Sequence, residues 1–105
     1  MRGEVYELRA NPHSKGHEQR GKRYAVVVQS DALALSTAIA APTSTGSWDA
    51  PFHPEIDLMG QRTRVLVEQA QTVDIERRFG RLVGRVTTAE QFAIDDALKL
   101  VLGIF

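Results

Sequence analysis

Apolar and polar positions along this chain change over in short runs, with turn residues between them. Gly3–Leu8 predicts a first strand, with Glu4, Tyr6 and Leu8 on one face and Val5 and Glu7 on the other. Arg9–Gly21 is polar and carries Asn11-Pro12 and two glycines, which predicts a loop of about a dozen residues, long enough to carry function. Tyr24–Gln29 is short, apolar and β-branched, the mark of a buried strand. Ser30–Ser36 connects it to a second buried strand, Thr37–Ala41, which Pro42 is expected to end. Thr43–Pro51 is rich in turn residues and holds the only tryptophan, Trp48.

Phe52–Leu58 alternates like an exposed strand, with Pro54 restricting it to an edge or a bulge. Gln61–Gln69 predicts another strand, with Thr63, Val65 and Val67 opposite Arg62, Arg64, Leu66 and Glu68. Val73–Glu76 suggests a turn of helix and Arg81–Val86 a last strand. The C-terminal helix is the clearest element. Thr87 and Glu90 have capping-box spacing. Ile94, Ala97, Leu98, Val101 and Leu102 make one apolar stripe, and Gly103 ends the helix. Five to seven short strands and one helix imply a mainly β fold: a small, strongly curved sheet or open barrel with the helix over one end.

At 105 residues the chain is expected to be a single domain spanning 1–105. A domain of that size buries roughly 65% of the surface its unfolded chain exposes, enough for a core without cross-links. It contains no cysteine, which excludes disulfides and thiolate metal sites and fits a reducing cytoplasm. The start, Met-Arg-Gly-Glu-Val-Tyr, lacks the apolar stretch of a signal peptide, and no apolar run approaches ~18 residues. Net charge is zero, with 13 basic and 13 acidic side chains. The basic residues Arg2, Arg9, Lys15, Arg20, Lys22 and Arg23 nevertheless outnumber Glu4, Glu7 and Glu18 over the first stretch. Such a local patch attracts phosphates even in a neutral protein.

Metal chemistry is poorly served. His13 and His17 share a face only in a helix, which Asn11-Pro12 and Gly16 oppose, and no ligand motif is present. No metal or other cofactor is expected: serine-hydrolase and phosphate-loop signatures are also missing. Metal-free cleavage of a phosphodiester needs a base, an acid and donors aimed at the phosphoryl oxygens. His17, Glu18 and Arg23 supply these types close together. Glu68 sits beside a strand rich in arginine, and Thr43 and Ser44 follow Pro42 where backbone can hold their hydroxyls. Each also has a plain structural reading, as solvated loop, surface ion pair, ordinary turn or packed ring.

Four segments in order add to this: Arg2-Gly3-Glu4-Val5-Tyr6, then Gly16-His17-Glu18-Gln19 leading into Arg23, then Ala41-Pro42-Thr43-Ser44, then Glu68-Gln69 followed by Thr72-Val73-Asp74. Together they resemble the MazF/PemK (Kid) family of toxins over nearly the whole chain. The resemblance implies a compact SH3-like, CcdB-like β-barrel and a homodimer. It implies metal-independent endoribonuclease activity on single-stranded RNA, leaving a 2′,3′-cyclic phosphate and a 5′-hydroxyl. It also implies a cognate antitoxin that lays a flexible segment over the RNA groove.

By the same resemblance Arg23 stabilises phosphoryl charge or serves as the acid, and Thr43 is its partner in a MazF-style centre. His17 and Glu18 match the GHEQ segment. Glu68 stands at a position the PemK branch fills with aspartate, while the arginine expected two residues before it is Leu66 here; Arg64 is a candidate substitute. The resemblance implies an RNA contact at Ser44. Lys15, Gln19, Arg20, Lys22, Thr45, Trp48, Arg64 and Gln69 are the further RNA contacts expected, with specificity in the loops Arg9–Lys22 and Thr45–Pro51, which share little with better-known members. Rival readings on the same barrel are a CcdB-like topoisomerase poison and a relative that binds RNA or antitoxin without cutting.

Overall fold

The computed structural model describes residues 1–10 and 23–105. Its strands are β1 (Glu4–Leu8), β2 (Arg23–Val27), β3 (Thr37–Ser44), β4 (Glu55–Leu58), β5 (Gln61–Val65), β6 (Gln71–Asp74) and β7 (Phe79–Arg85). A 3-10 turn at Val67–Gln69 follows β5, a single helical turn α1 (Ile75–Arg78) follows β6, and α2 (Thr88–Leu102) follows β7. The sheet runs β4-β5-β3-β2-β1-β7, all antiparallel, with β6 also on β3. It curls into a half-barrel with α2 alongside, as the sequence pattern implied.

The apolar run of β2 is continuous because both of its faces are buried. Val26 and Val28 enter a core with Val5, Ala41, Ile56, Val65, Val67 and Ile94. Ala25 and Val27 enter a second core with Ala38, Ala40, Val73 and Phe79, where Tyr6 stacks on Phe79 at 4.8 Å. Helix α2 lies on the first core through Ile94 and Ala97. Thr87 Oγ1 accepts from the Glu90 N–H at 3.1 Å while Glu90 Oε1 accepts from the Thr87 N–H at 2.8 Å, the reciprocal cap the spacing predicted. The other Glu90 oxygen accepts from the Asp57 N–H at 2.7 Å, so the cap also ties α2 to β4. Arg2 pairs with Asp95 and ties the start of β1 to α2.

Gly3 precedes β1 at φ 84°, and a Cβ there would lie 2.9 Å from Gln91 Oε1. Only glycine fits so close to α2 in the left-handed region. The chain passes here because the Gly3 N–H donates to Val27 O at 2.8 Å and its carbonyl accepts from Val86 at 2.9 Å.

Several boundaries differ from the sequence reading. β3 does not end at Pro42 but runs to Ser44. Its first half pairs with β6 from Thr37 to Ala40 and its last residues pair with β5 from Thr43, so Pro42 stands where one partner leaves and the other begins. The Pro42 carbonyl accepts from the Leu66 N–H at 2.8 Å on that side, and the missing N–H breaks no ladder. β5 ends at Val65; Gln69 and Ala70 donate back to Leu66 and Val67, so Glu68 lies on a tight turn, not on a strand. Val73 and Asp74 belong to β6, and the helical turn starts at Ile75, capped by the Asp74 carboxylate. β4 is shorter than expected, starting after Pro54, and it is an edge strand. β7 begins earlier, at Phe79, and shifts register against β1. The stripe on α2 is only partly buried: Val101 and Leu102 are 39% and 64% exposed because the last turn of the helix runs past the core.

Candidate functional site

β2 and β3 end side by side, with Ala25 opposite Pro42, and beyond that pair the two strands open onto a groove of about 470 Å³. Arg23 and Tyr24 line it from β2, and Thr43, Ser44 and Thr45 from the end of β3. Gln61 and Thr63 contribute from β5, and Leu66 and Gln69 from around the tight turn. Arg23 is exposed, and among the described residues it is the one charged side chain in the lining, with no carboxylate paired to it. Thr43 Oγ1 donates to the Tyr24 carbonyl at 3.2 Å, which fixes its rotamer and leaves the oxygen able to accept. Ser44 Oγ accepts from the Gly46 N–H at 3.2 Å and starts the loop. A cation, hydroxyls and carboxamides thus converge on one polar cleft.

The far rim is the β4–β5 hairpin, a two-residue turn of Met59 and Gly60 with φ 53° and 80°. Both residues are left-handed, as the favoured two-residue hairpin turn requires. Glycine adopts that geometry freely, whereas methionine does so at a cost of about 1 kcal/mol. The turn holds Met59 at the groove, 56% exposed.

The sequence-predicted residues divide. Arg23, Thr43, Ser44, Thr45 and Gln69 are brought together in the groove lining. Lys15, His17, Glu18, Gln19, Arg20 and Lys22 lie outside the described residues. Trp48 stands 67% exposed on the loop and is not part of the lining. Arg64 is engaged elsewhere: it pairs with Asp49 at 3.2 Å and Glu55 at 3.4 Å and donates to the His53 carbonyl at 3.0 Å. Leu66 has left the strand, so Arg64 does not share a strand face with it as the sequence suggested.

Glu68 turns to a residue the sequence reading passed over. His53 is 2% exposed. Its Nε2 lies 2.9 and 2.8 Å from the two Glu68 oxygens, and its Nδ1 lies 2.9 Å from the Trp48 carbonyl. Burial pulls the imidazole pKa down. The hydrogen bonds to Trp48 and Glu68, with the Glu68 charge, outweigh burial and an opposing contribution from Arg64, so the pKa stands above its ordinary 6.5. The rings of Trp48 and Phe52 meet the imidazole edge-on at 5.2 and 4.7 Å. The one local signal was a histidine between Phe52 and Pro54 at the head of an alternating stretch. Among the described residues no three metal-ligating side chains cluster, and no helix is long and apolar enough to cross a membrane.

A family model for the PemK-like, MazF-like toxin of type II toxin–antitoxin systems matches residues 1–102. The chain belongs to that family. Among its relatives it is 36% identical to Rv3098A of Mycobacterium tuberculosis, named as a candidate toxin, over 99% of this chain and 98% of that protein. It is 31% identical to Endoribonuclease MazF9 of the same organism, over 99% of this chain and 97% of the relative. In structure it is similar to a mycobacterial endoribonuclease solved in complex with its cognate antitoxin: TM-score 0.81, 20% identity, 100% of this chain and 96% of that one. MazF from Deinococcus radiodurans has a TM-score of 0.78 at 23% identity, over 98% and 96%. These two likenesses carry the fold, and the PemK/MazF membership gives the groove its context.

Proposed function

We propose that this PemK/MazF toxin is a sequence-preferring endoribonuclease that cuts single-stranded RNA without a metal. The observation that carries the reading is the groove in which Arg23, unpaired among the described residues, faces the hydroxyls of Thr43, Ser44 and Thr45. The 2′-oxygen of a ribose attacks the adjacent phosphorus and loses its proton, the bond to the 5′-oxygen breaks, and that oxygen takes a proton. The products are a 2′,3′-cyclic phosphate and a 5′-hydroxyl. Arg23 stabilises the charge that builds on the phosphoryl oxygens. Thr43, its donor already committed to Tyr24, accepts from the ribose or a base. Arg23, His17 and Glu18 are the candidates for base and acid, and Glu68, its two oxygens held by His53, supports the site from outside the groove lining. Ser44, Thr45 and Gln69 in the groove hold the strand together with Lys15, Gln19, Arg20 and Lys22 ahead of Arg23, while Trp48 and Arg64 stand outside the lining.

The reading includes a cognate antitoxin, by analogy with the mycobacterial relative solved in such a complex, and a homodimer. Exposed Leu33, Leu82, Phe92, Leu102, Ile104 and Phe105 supply apolar surface for such contacts. The protein is read as cytoplasmic, where its RNA lies.

The test is purified protein on a long single-stranded RNA with excess chelator, with Arg23→Ala alongside. Discrete cuts with cyclic-phosphate ends in the wild type, falling by about 10²–10³-fold in the variant, support the reading. Chelator-sensitive cutting overturns the metal-free mechanism. Intact RNA with DNA breaks on expression moves the protein to topoisomerase poisoning.

A further inference from the structure

His53 is the one histidine among the described residues, and nothing in the mechanism above uses it. Its surroundings favour a charge over the neutral ring, whose Nδ1 meets a possible donor, the Ser47 hydroxyl, only at 3.4 Å. The Trp48 carbonyl can only accept, and so can the ionised Glu68 carboxylate. A neutral imidazole has one N–H and satisfies one of them. Both short contacts are made together only by the imidazolium, with Nδ1 donating to Trp48 O and Nε2 to Glu68. A buried charge held in this way costs desolvation that a packed leucine would not, so the position calls for a reason beyond filling space.

The two acceptors belong to different segments. Trp48 lies on the loop that leaves the groove at Ser44 and Thr45 and ends at His53. Glu68 lies on the tight turn whose next residue, Gln69, lines the groove. His53 is therefore the joint between the loop and the turn.

We propose that His53 is a positioning residue for the groove, bolting the loop that carries Trp48 to the turn that carries Gln69. The substrate half of this rests on the endoribonuclease reading, and the bolt itself rests on geometry. The groups that face the ring set its titration: Glu68 from the turn favours the charge, and Arg64 from β5 opposes it. Asp49 on the loop and Glu55 on β4 pair with Arg64 and blunt that opposition. With its pKa raised in the folded protein, the bolt is complete below pH 6.5 and is lost as pH rises through the folded value. RNA affinity should weaken over the same interval.

Trp48 is the chain's only tryptophan and its ring is 5.2 Å from the imidazole, so its fluorescence reads the ring directly, an imidazolium being a quencher of indole. Emission and RNA-cleavage kinetics are measured from acid to alkaline pH for the wild type, His53→Gln and Glu68→Gln. The proposal expects wild-type emission to rise in one transition centred above an ordinary histidine's. It expects KM for RNA to rise about tenfold across that transition, the loss of one net interaction of this size, with kcat less affected. His53→Gln should show the high KM at every pH and no transition. Glu68→Gln should move both midpoints to lower pH, and this pair of shifts carries the test if His53→Gln does not fold.

A flat emission curve in an active enzyme, or a KM that does not follow the emission, overturns the positioning role. So does a Glu68→Gln enzyme that loses kcat with KM and midpoint unchanged, which returns Glu68 to acid–base chemistry. A wild type that shows the transition but cuts no RNA at any pH overturns the nuclease reading, and the groove role with it.

Discussion

The two walls of the groove are held by different forces. The wall that bears Arg23 and Thr43 is the paired ends of β2 and β3, backed by two apolar cores. Its position follows from ladder bonds and packing, neither of which titrates. Away from that wall the groove is lined by the β4–β5 hairpin and by Thr45 and Gln69, which begin a loop and end a 3-10 turn that one buried histidine joins by hydrogen bonds to both. On the proposed mechanism the groups placed against phosphoryl charge stand on the rigid side, while the loop and the turn are joined by the buried histidine and the loop is also tied to β5 by the Arg64–Asp49 pair. A binding site needs a fixed catalytic geometry and tolerates adjustment elsewhere, and this division supplies both.

The contrast breaks most completely if the shared support is removed. Ile94 is fully buried under both walls, in the core with Val26 and Val65. Ile94→Ala should cost about 3 kcal/mol in urea unfolding and melt both walls in one transition. Cutting only the joint is the next largest effect. His53→Ala leaves the Glu68 carboxylate without its partner and should cost about 2 kcal/mol, with amide exchange rising first in the loop and the turn while β2 and β3 stay protected. Thr87→Ala removes the cap of α2 and should cost about 1 kcal/mol with no change in RNA cleavage, because the cap faces β4 and not the groove. Arg62→Ala sharpens the comparison by doing nothing. Its pair with Glu55, in which one guanidinium nitrogen reaches both carboxylate oxygens, is formed by a side chain 83% exposed, and Tm should not move.

The rigid wall was legible in the chain and the jointed one was not. The run Tyr24–Gln29 announced a doubly buried strand because its apolar character is local. The Thr87/Glu90 cap was equally local, and so was the edge character of the Pro54 strand. β6 escaped notice because Gln71–Asp74 buries only Val73 and owes its strand form to β3, far away in sequence. The end of β5 was misplaced because Gln61–Gln69 alternates well throughout, and the turn is set by the Leu66 N–H reaching the Pro42 carbonyl. At the site, Arg23 with Thr43 and Ser44 could be assembled from ordered motifs. His53 could not, since its partners are a main-chain carbonyl on the loop and a carboxylate fifteen residues on, and neither leaves a mark around Phe52-His53-Pro54.

Pro42 has a further consequence. A strand that serves two partners in succession is exposed to sliding, since β6 and β5 can each offer a neighbouring alignment. Moving β3 by one residue would exchange its faces, taking Ala38 and Ala40 out of one core and Ala41 out of the other, and bring the proline nitrogen against a carbonyl awaiting a proton. The ring thus acts as a detent: the strand can seat in one position, and that position sets Thr43 beside Tyr24. In this protein the setting of the Thr43 hydroxyl is kept by a residue that forms no hydrogen bond through its nitrogen at all.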